Sequence, residues 1–294
     1  MRILITGGNG YLGTKIVKRL VAKGHTAVLS ILEGTNIQMF SNVPNIEIYG
    51  TTAEEIEKAC TSNIDLVLHL ATLYGRQQEE LNKILQANLI FPIEVLYHSI
   101  KHKVKYFFSM DTSINEFTNE YSMSKKQFRN WGKYYAEHDK IRFINMVSEH
   151  FYGPYDNTVK FIANMLKQLR ENAPYIETTF GEQERAFIYI DDLIDAILKI
   201  IDYETSKDTN EFVEYEIGPE QNIKIKDALL IMKKLTASKS EIKFGAIPYR
   251  KNEKMKSNCD NSKLKSIGWK QKTLTFEDGI RHILKEESNN ENIN

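Results

Sequence analysis

The sequence predicts an α/β fold: a doubly wound parallel sheet with helices on both faces, followed by a smaller mixed α/β lobe. Three observations carry this expectation. Strand-like and helix-like segments alternate through the first half. A glycine-rich turn joins the first strand directly to the first helix. Strict alternation then fails in the second half, as suits a separate lobe. The sheet is expected to occupy residues 1–155, with segments near 186–235 crossing back to it, and residues 156–294 to form mainly the second lobe.

Met1-Arg2-Ile3-Leu4-Ile5-Thr6 is short, apolar and β-branched, and it ends in glycines, so it reads as a buried parallel strand. Residues 14–23 then place Ile16, Val17, Leu20 and Val21 at helical spacing. Further strands are expected at 26–31, 46–49, 64–70, 104–109 and 141–147. Helices are expected at 53–60, 79–103 and 121–139, with a kink or break at Pro92. In the second half, helices are expected at 161–169, 192–201, 225–235 and 276–284, and strands at 211–217 and 242–244. Ligands of such sheets bind beyond the carboxyl ends of the strands. The residues just after strands one, four, five and six are therefore the candidates for chemistry.

Gly7-Gly8-Asn9-Gly10-Tyr11-Leu12-Gly13 connects the first strand to the first helix. A strand, a glycine turn and a helix make a cradle for a dinucleotide. Gly7 permits the tight turn, Gly10 lets the backbone approach a pyrophosphate, and Gly13 lets the helix pack closely. The helix start then presents N–H groups and a positive dipole end to phosphate. The spacing places glycine at every third position.

Composition narrows the function classes. Lys+Arg and Asp+Glu are equal at 39 each, which argues against a nucleic-acid-binding or polybasic membrane surface. Cys60 and Cys259 lie far apart without a pairing signal, so a reducing, cytoplasmic setting is expected. The first strand begins at residue 1, which leaves no room for a signal peptide. No apolar run approaches the roughly 18–20 residues of a membrane helix. The reading requires no metal.

Tyr121-Ser122-Met123-Ser124-Lys125 is the second chemical signal. Tyrosine and lysine four apart share a helix face. A phenol of pKa ~10 is a poor acid–base group at neutral pH. A neighbouring ammonium favours the phenolate and is expected to bring it toward the working range. The lysine can also hold ribose hydroxyls.

The glycine spacing and the tyrosine–lysine pair together resemble the extended short-chain dehydrogenase/reductases, the NAD-dependent epimerase/dehydratase family, over nearly the whole chain. That resemblance implies a Rossmann sheet. His69-Leu70-Ala71-Thr72 resembles the family segment lying along the cofactor, which implicates Leu70, Ala71 and Thr72 in cofactor binding along with Gly7, Gly10, Tyr11, Leu12, Gly13, Ser30, Tyr121 and Lys125. Asn88 resembles the family's structural asparagine. The third catalytic member is normally a Ser or Thr after the fifth strand. Thr112 is the choice within Ser109-Met110-Asp111-Thr112-Ser113, with Ser113, Ser109 and Asp111 as alternatives. Phe151-Tyr152-Gly153-Pro154 resembles the segment beside the nicotinamide. Arg185-Ala186-Phe187-Ile188-Tyr189-Ile190-Asp191-Asp192 resembles a stretch whose arginine grips a nucleotide-sugar diphosphate; otherwise Arg185 is a surface arginine at a strand edge. His150 stands where relatives place a residue near that diphosphate, or it is simply a packed histidine.

The short stretch from Thr112 to Tyr121, with Glu149-His150-Phe151-Tyr152-Gly153-Pro154 and Gly181-Glu182-Gln183, is similar to nucleotide-sugar 4-ketoreductases of the CDP-abequose/CDP-paratose synthase type. The implied activity is reduction of a nucleotide-linked 4-keto-6-deoxyhexose at carbon 4, in bacterial surface-sugar biosynthesis, by a homodimer joined through the helices of 79–103 and 121–139. Sugar 4,6-dehydratases carry Asp-Glu after the threonine, whereas Ser113-Ile114 stand here. The 3,5-epimerase/reductases need an active-site cysteine that neither Cys60 nor Cys259 matches. The second strand ends in Ser30-Ile31-Leu32-Glu33, with no acid at the strand end for an adenosine ribose. No arginine stands there either, so the strand end leaves room for a 2′-phosphate without binding one; NADP(H) is favoured over NAD(H) on the biosynthetic role that the resemblance implies. Two alternatives stand beside the reductase: an NAD-retaining nucleotide-sugar 4-epimerase, and a catalytically silent cofactor-binding sensor.

Overall fold

The computed structural model describes residues 1–251 and 253–291. The first half builds β1 (Arg2–Thr6), α1 (Tyr11–Ala22), β2 (Thr26–Ser30), β3 (Ile46–Tyr49), α2 (Ala53–Cys60) and β4 (Leu66–His69). Then α3 (Leu81–Leu85) passes through a π-helical turn at Gln86–Ile90 into α4 (Phe91–Lys101). Pro92 sits in the first turn of α4. The widened turn accommodates its missing N–H, so the helix continues past the proline. β5 (Tyr106–Thr112), α5 (Glu120–Glu137) and β6 (Arg142–Ser148) complete this half.

The second half contains β7 (His150–Tyr152), α6 (Phe161–Arg170), β8 (Tyr175–Thr178), β9 (Glu184–Arg185), β10 (Phe187–Tyr189), α7 (Ile190–Glu204) and β11 (Phe212–Ile217). It ends with β12 (Ile223–Lys224), α8 (Ile225–Leu235), β13 (Glu241–Phe244), α9 (Ser262–Ser266) and α10 (Phe276–Glu291). The sequence reading lacked β7, β8, β9, β10 and β12. Each has two to four residues and pairs outside the central sheet, too short for an alternating pattern to register.

The central sheet has seven strands in the order β11-β6-β5-β4-β1-β2-β3. β1 pairs in parallel with β2 and β4, β2 with β3, β4 with β5, and β5 with β6. This is the expected doubly wound parallel sheet. Connections leave β1 in one direction toward β3 and β4 in the other toward β6, so the switch point lies between β1 and β4. In sheets of this kind ligands bind outside the carboxyl ends of the strands at such a point.

One face is closed by α2, α4 and α5 over Leu4, Val67, Phe107 and Phe143. Phe107, Phe128 and Phe143 are essentially fully buried, and each contributes roughly 1.5–3 kcal/mol from burial. α5 lies so close to β6 that a Cβ at Gly132 would come within 2.2 Å of the Phe143 ring.

The chain forms two compact units. One comprises Met1–Ser148 with Ile197–Tyr215, and the other Glu149–Ala196 with the described residues from Glu216 onward. Within the second, β7 pairs with β10, β9 with β12 and β8 with β13. Both cysteines are free. Among the described residues no helix is long and apolar enough to cross a membrane.

Candidate active site

The glycine turn sits at the switch point. Gly7 has φ +67°, and a Cβ there would meet the Ala71 backbone at 2.7 Å, so the turn after β1 lies against the loop after β4. A Cβ at Gly13 would stand 2.1 Å from the Gly7 carbonyl oxygen, and one at Gly10 3.2 Å from it. The close approach that needs Gly13 is therefore to the glycine turn itself. Gly10 caps α1 without a side-chain hydrogen bond, and the first turn carries no acid. Tyr11 and Leu12 open that helix. A helix start with no resident anion and a cradle too tight for side chains fits a dinucleotide pyrophosphate.

The walls of the cradle are tied together. The Leu70 N–H donates to the Thr6 carbonyl, and the Ala71 N–H to Thr6 Oγ1 at 3.3 Å. Thr6 Oγ1 also lies 2.7 Å from His69 Nδ1. His69 is fully buried among Phe91, Phe107 and Phe128, and its burial, aided by the charge of Lys125, holds it well below the usual imidazole range, hence neutral. Asn88 is buried in the π turn. Its Oδ1 accepts from the Leu73 N–H at 2.8 Å and the Thr72 hydroxyl at 3.3 Å, and its Nδ2 donates to the Leu73 carbonyl. On the other side, the buried Ser30 hydroxyl donates to the Gly50 carbonyl at 3.0 Å, and Asn9 Nδ2 donates to Thr35 Oγ1.

β5 and α5 supply the second half of this site. Asn119 caps α5: its Oδ1 accepts from the Ser122 N–H, and Ser122 Oγ accepts from the Asn119 N–H. That capping box fixes the first turn, on which Tyr121 stands, with Lys125 one turn later. Thr112 ends β5, and its hydroxyl is close enough to the Tyr121 phenol to favour the ionised form. Thr112, Tyr121 and Lys125 are all buried.

The electrostatics depart from expectation. The Tyr121 phenol is raised, not lowered. Burial is the main cause, the neighbouring Tyr74 adds to it, and the Thr112 hydroxyl only partly offsets them. Lys125 is itself desolvated and pushed down to about 8, against the raising influence of Asp111. Burying both partners favours the neutral form of each.

Three residues near Tyr121 escaped the sequence reading in these roles. The Tyr74 ring lies 5.1 Å from the Tyr121 ring, and Arg76 covers Tyr74 at 5.0 Å. Asp111, kept only as an alternative to Thr112, is the hub of a buried network. It accepts from Lys126 Nζ at 2.9 Å, Asn145 Nδ2 at 3.0 Å and the Thr112 N–H at 2.7 Å. Asn145 also donates to Glu214, which Arg129 grips with two hydrogen bonds. The network ties β5, α5, β6 and β11 together and fixes the backbone beneath Thr112.

The two expected substrate residues belong to the second unit. His150 opens β7 with its ring edge-on to Phe187 at 5.9 Å and its Nδ1 3.7 Å from a Glu149 carboxylate oxygen. Arg185 in β9 donates to the Glu184 and Lys254 carbonyls at 2.9 and 2.6 Å and pairs with Glu253. Its fork is already engaged, so gripping another anion requires exchange of the Glu253 carboxylate.

The NAD dependent epimerase/dehydratase family model matches residues 3–218. The chain is 32% identical to CDP-abequose synthase of Salmonella muenchen, over 96% of this chain and 97% of that protein. Its fold resembles UDP-glucose 4-epimerase of Thermotoga maritima, solved with UDP-glucose (TM-score 0.82, 21% identity, 99% of each chain). It also resembles UDP-glucuronic acid 4-epimerase of Bacillus cereus, solved with UDP-glucuronic acid and NAD (TM-score 0.83, 20% identity, 97% and 100% of the chains). With a cradle that excludes side chains at Gly7 and Gly13 and a matching family model over most of its length, the chain belongs to the NAD dependent epimerase/dehydratase family.

Proposed function

We propose that this protein is an NADPH-dependent reductase of a nucleotide-linked 4-keto-6-deoxyhexose, acting at carbon 4 in bacterial surface-sugar biosynthesis. The observation that carries the reading is the buried set of Thr112, Tyr121 and Lys125, the last two one helical turn apart, in the same compact unit as the glycine cradle. Similarity to CDP-abequose synthase along nearly the whole chain supports the substrate class. A reduced nicotinamide, when bound, supplies the hydride. Gly7, Gly10, Gly13 and the start of α1, with Tyr11 and Leu12, hold the pyrophosphate; Leu70, Ala71 and Thr72 line the path of the dinucleotide, and Ser30 stands at the adenosine end. The biosynthetic role proposed here favours NADP(H) over NAD(H); the end of β2, with neither acid nor arginine, leaves room for a 2′-phosphate without binding one.

Thr112 Oγ1 and Tyr121 Oη take the keto oxygen between them. As carbon 4 becomes tetrahedral, negative charge grows on that oxygen, and the Tyr121 phenolic proton passes to it. The raised phenol ensures that the proton is present at neutral pH. Lys125 stabilises the phenolate left behind. In the second unit, His150 and Arg185 serve the sugar diphosphate, with Arg185 exchanging Glu253 for phosphate oxygens. Exposed Leu81, Ile90, Tyr97, Trp131 and Tyr134 on α3, the π turn, α4 and α5 support a homodimer through those helices. The free cysteines suit a cytoplasmic enzyme.

A 4-epimerase is the second reading, favoured by the folds of the two 4-epimerases above. The same Thr112–Tyr121 pair serves either reaction. Purified protein separates the two: net consumption of added NADPH with a 4-keto sugar supports the reductase. Tightly retained NAD with interconversion of two 4-hydroxy epimers supports the epimerase.

A further inference from the structure

Away from the strand ends that carry the glycine turn, three side chains converge where the sheet begins. His98 and His102 lie one helical turn apart at the end of α4, and the His102 N–H donates to the His98 carbonyl at 3.0 Å. Glu57 reaches them from α2, which packs beside α4. One ligand atom from each of the three lies within 4.8 Å of the other two. α2 leads into β4 and α4 into β5, whereas the glycine turn follows the far end of β1.

One of the three pairs already stands at metal-ligand spacing. Glu57 Oε1 stands 3.4 Å from His102 Nε2. Two ligands of a tetrahedral ion with bonds of about 2.0–2.1 Å are about 3.3 Å apart. His98 is buried, and its Nδ1 has no hydrogen-bond partner. A buried ring nitrogen in that state costs stability. Two imidazoles and one carboxylate suit zinc better than the harder calcium or magnesium.

We propose that Glu57, His98 and His102 bind a zinc ion, with solvent completing the tetrahedron, and that the ion staples α2 to α4. The resident competitor is Lys101, whose ammonium donates to Glu57 Oε1 at 2.5 Å. Its side chain is half exposed, so it swings into solvent as the ion enters. Lys101 therefore weakens the site, a consequence that a purely structural ion pair does not share.

The full chain, treated with chelator and dialysed, is titrated with zinc chloride by calorimetry, and bound metal is counted by mass spectrometry. The expected result is stoichiometric zinc with a rise in Tm. His102→Gln lowers the affinity by at least about tenfold, the loss that even outer partners of a metal cause, and removes the rise in Tm. Lys101→Met increases the affinity several-fold. His102 ends its helix and is partly exposed, so this variant retains the fold, which circular dichroism checks. Absence of stoichiometric binding at micromolar zinc overturns the proposal. So does equal affinity in the parent, His102→Gln and Lys101→Met proteins.

Discussion

The hydroxyl of Thr112, the last residue of β5, draws the phenol of Tyr121, the second residue of α5, toward its ionised form, and both residues are buried. The threonine hydroxyl has a further duty, because Thr112 Oγ1 accepts from the Ile114 N–H at 3.2 Å. Thr112→Val keeps the shape and removes that bond together with the hydroxyl beside the Tyr121 phenol. It should cost about 1–2 kcal/mol of stability and lower kcat by roughly 10²–10³, as removal of a positioned donor does. NADPH affinity, measured by fluorescence titration, should stay within error of the parent.

Lys125 sets the expected pH dependence. Burial lowers it to about 8, so its ammonium is lost as pH rises through that value, while the raised Tyr121 keeps its proton. The kcat/KM for reduction should be level below about pH 8 and fall above it. Stability runs the other way. The folded chain binds fewer protons than the unfolded one between about 8 and the ordinary lysine value of 10.5, so this group makes stability rise with pH across that window. Lys125→Met should remove that rise relative to the parent, melt no lower than the parent at pH 7, and lose activity.

Gly13→Ala tests the cradle. Its Cβ would lie 2.1 Å from the Gly7 carbonyl oxygen and 2.8 Å from the Gly8 backbone, so backbone must move. The variant should lose about 1–3 kcal/mol of stability, and dinucleotide affinity should fall further than any loss of folded protein explains. Calorimetry with NADPH on the folded fraction checks it.

What the sequence made legible was local. Gly7, Gly10 and Gly13 lie within one turn, and Tyr121 and Lys125 on one helix face, so spacing alone located them. The apolar pattern predicts a fifth strand over 104–109 only. The ladder with β6 continues to Thr112↔Ser148. Asp111 gains its importance from Lys126 and from Asn145, 34 residues away, a relationship no periodicity encodes. Tyr74 and Arg76 reach Tyr121 from an irregular loop. The expected lowering of the phenol failed because spacing reports a neighbouring charge but not the burial that outweighs it.

Arg185 and Glu253 make an exchange that can be measured. Arg185→Ala should weaken nucleotide-sugar binding by about 1.5–3 kcal/mol, the range for a hydrogen bond to a charged group, and leave NADPH affinity unchanged. Glu253→Gln should free the guanidinium and tighten nucleotide-sugar binding. Equal loss of both ligands in Arg185→Ala would assign the arginine to folding instead.

Tyr121→Phe bears on the central claim most directly. With NADPH and a nucleotide-linked 4-keto-6-deoxyhexose, the parent should oxidise NADPH in step with formation of the 4-hydroxy sugar. The variant should bind NADPH as the parent does and lose turnover by roughly 10²–10⁴, the usual contribution of a general acid. Turnover of the keto sugar by Tyr121→Phe at the parental rate would contradict the account.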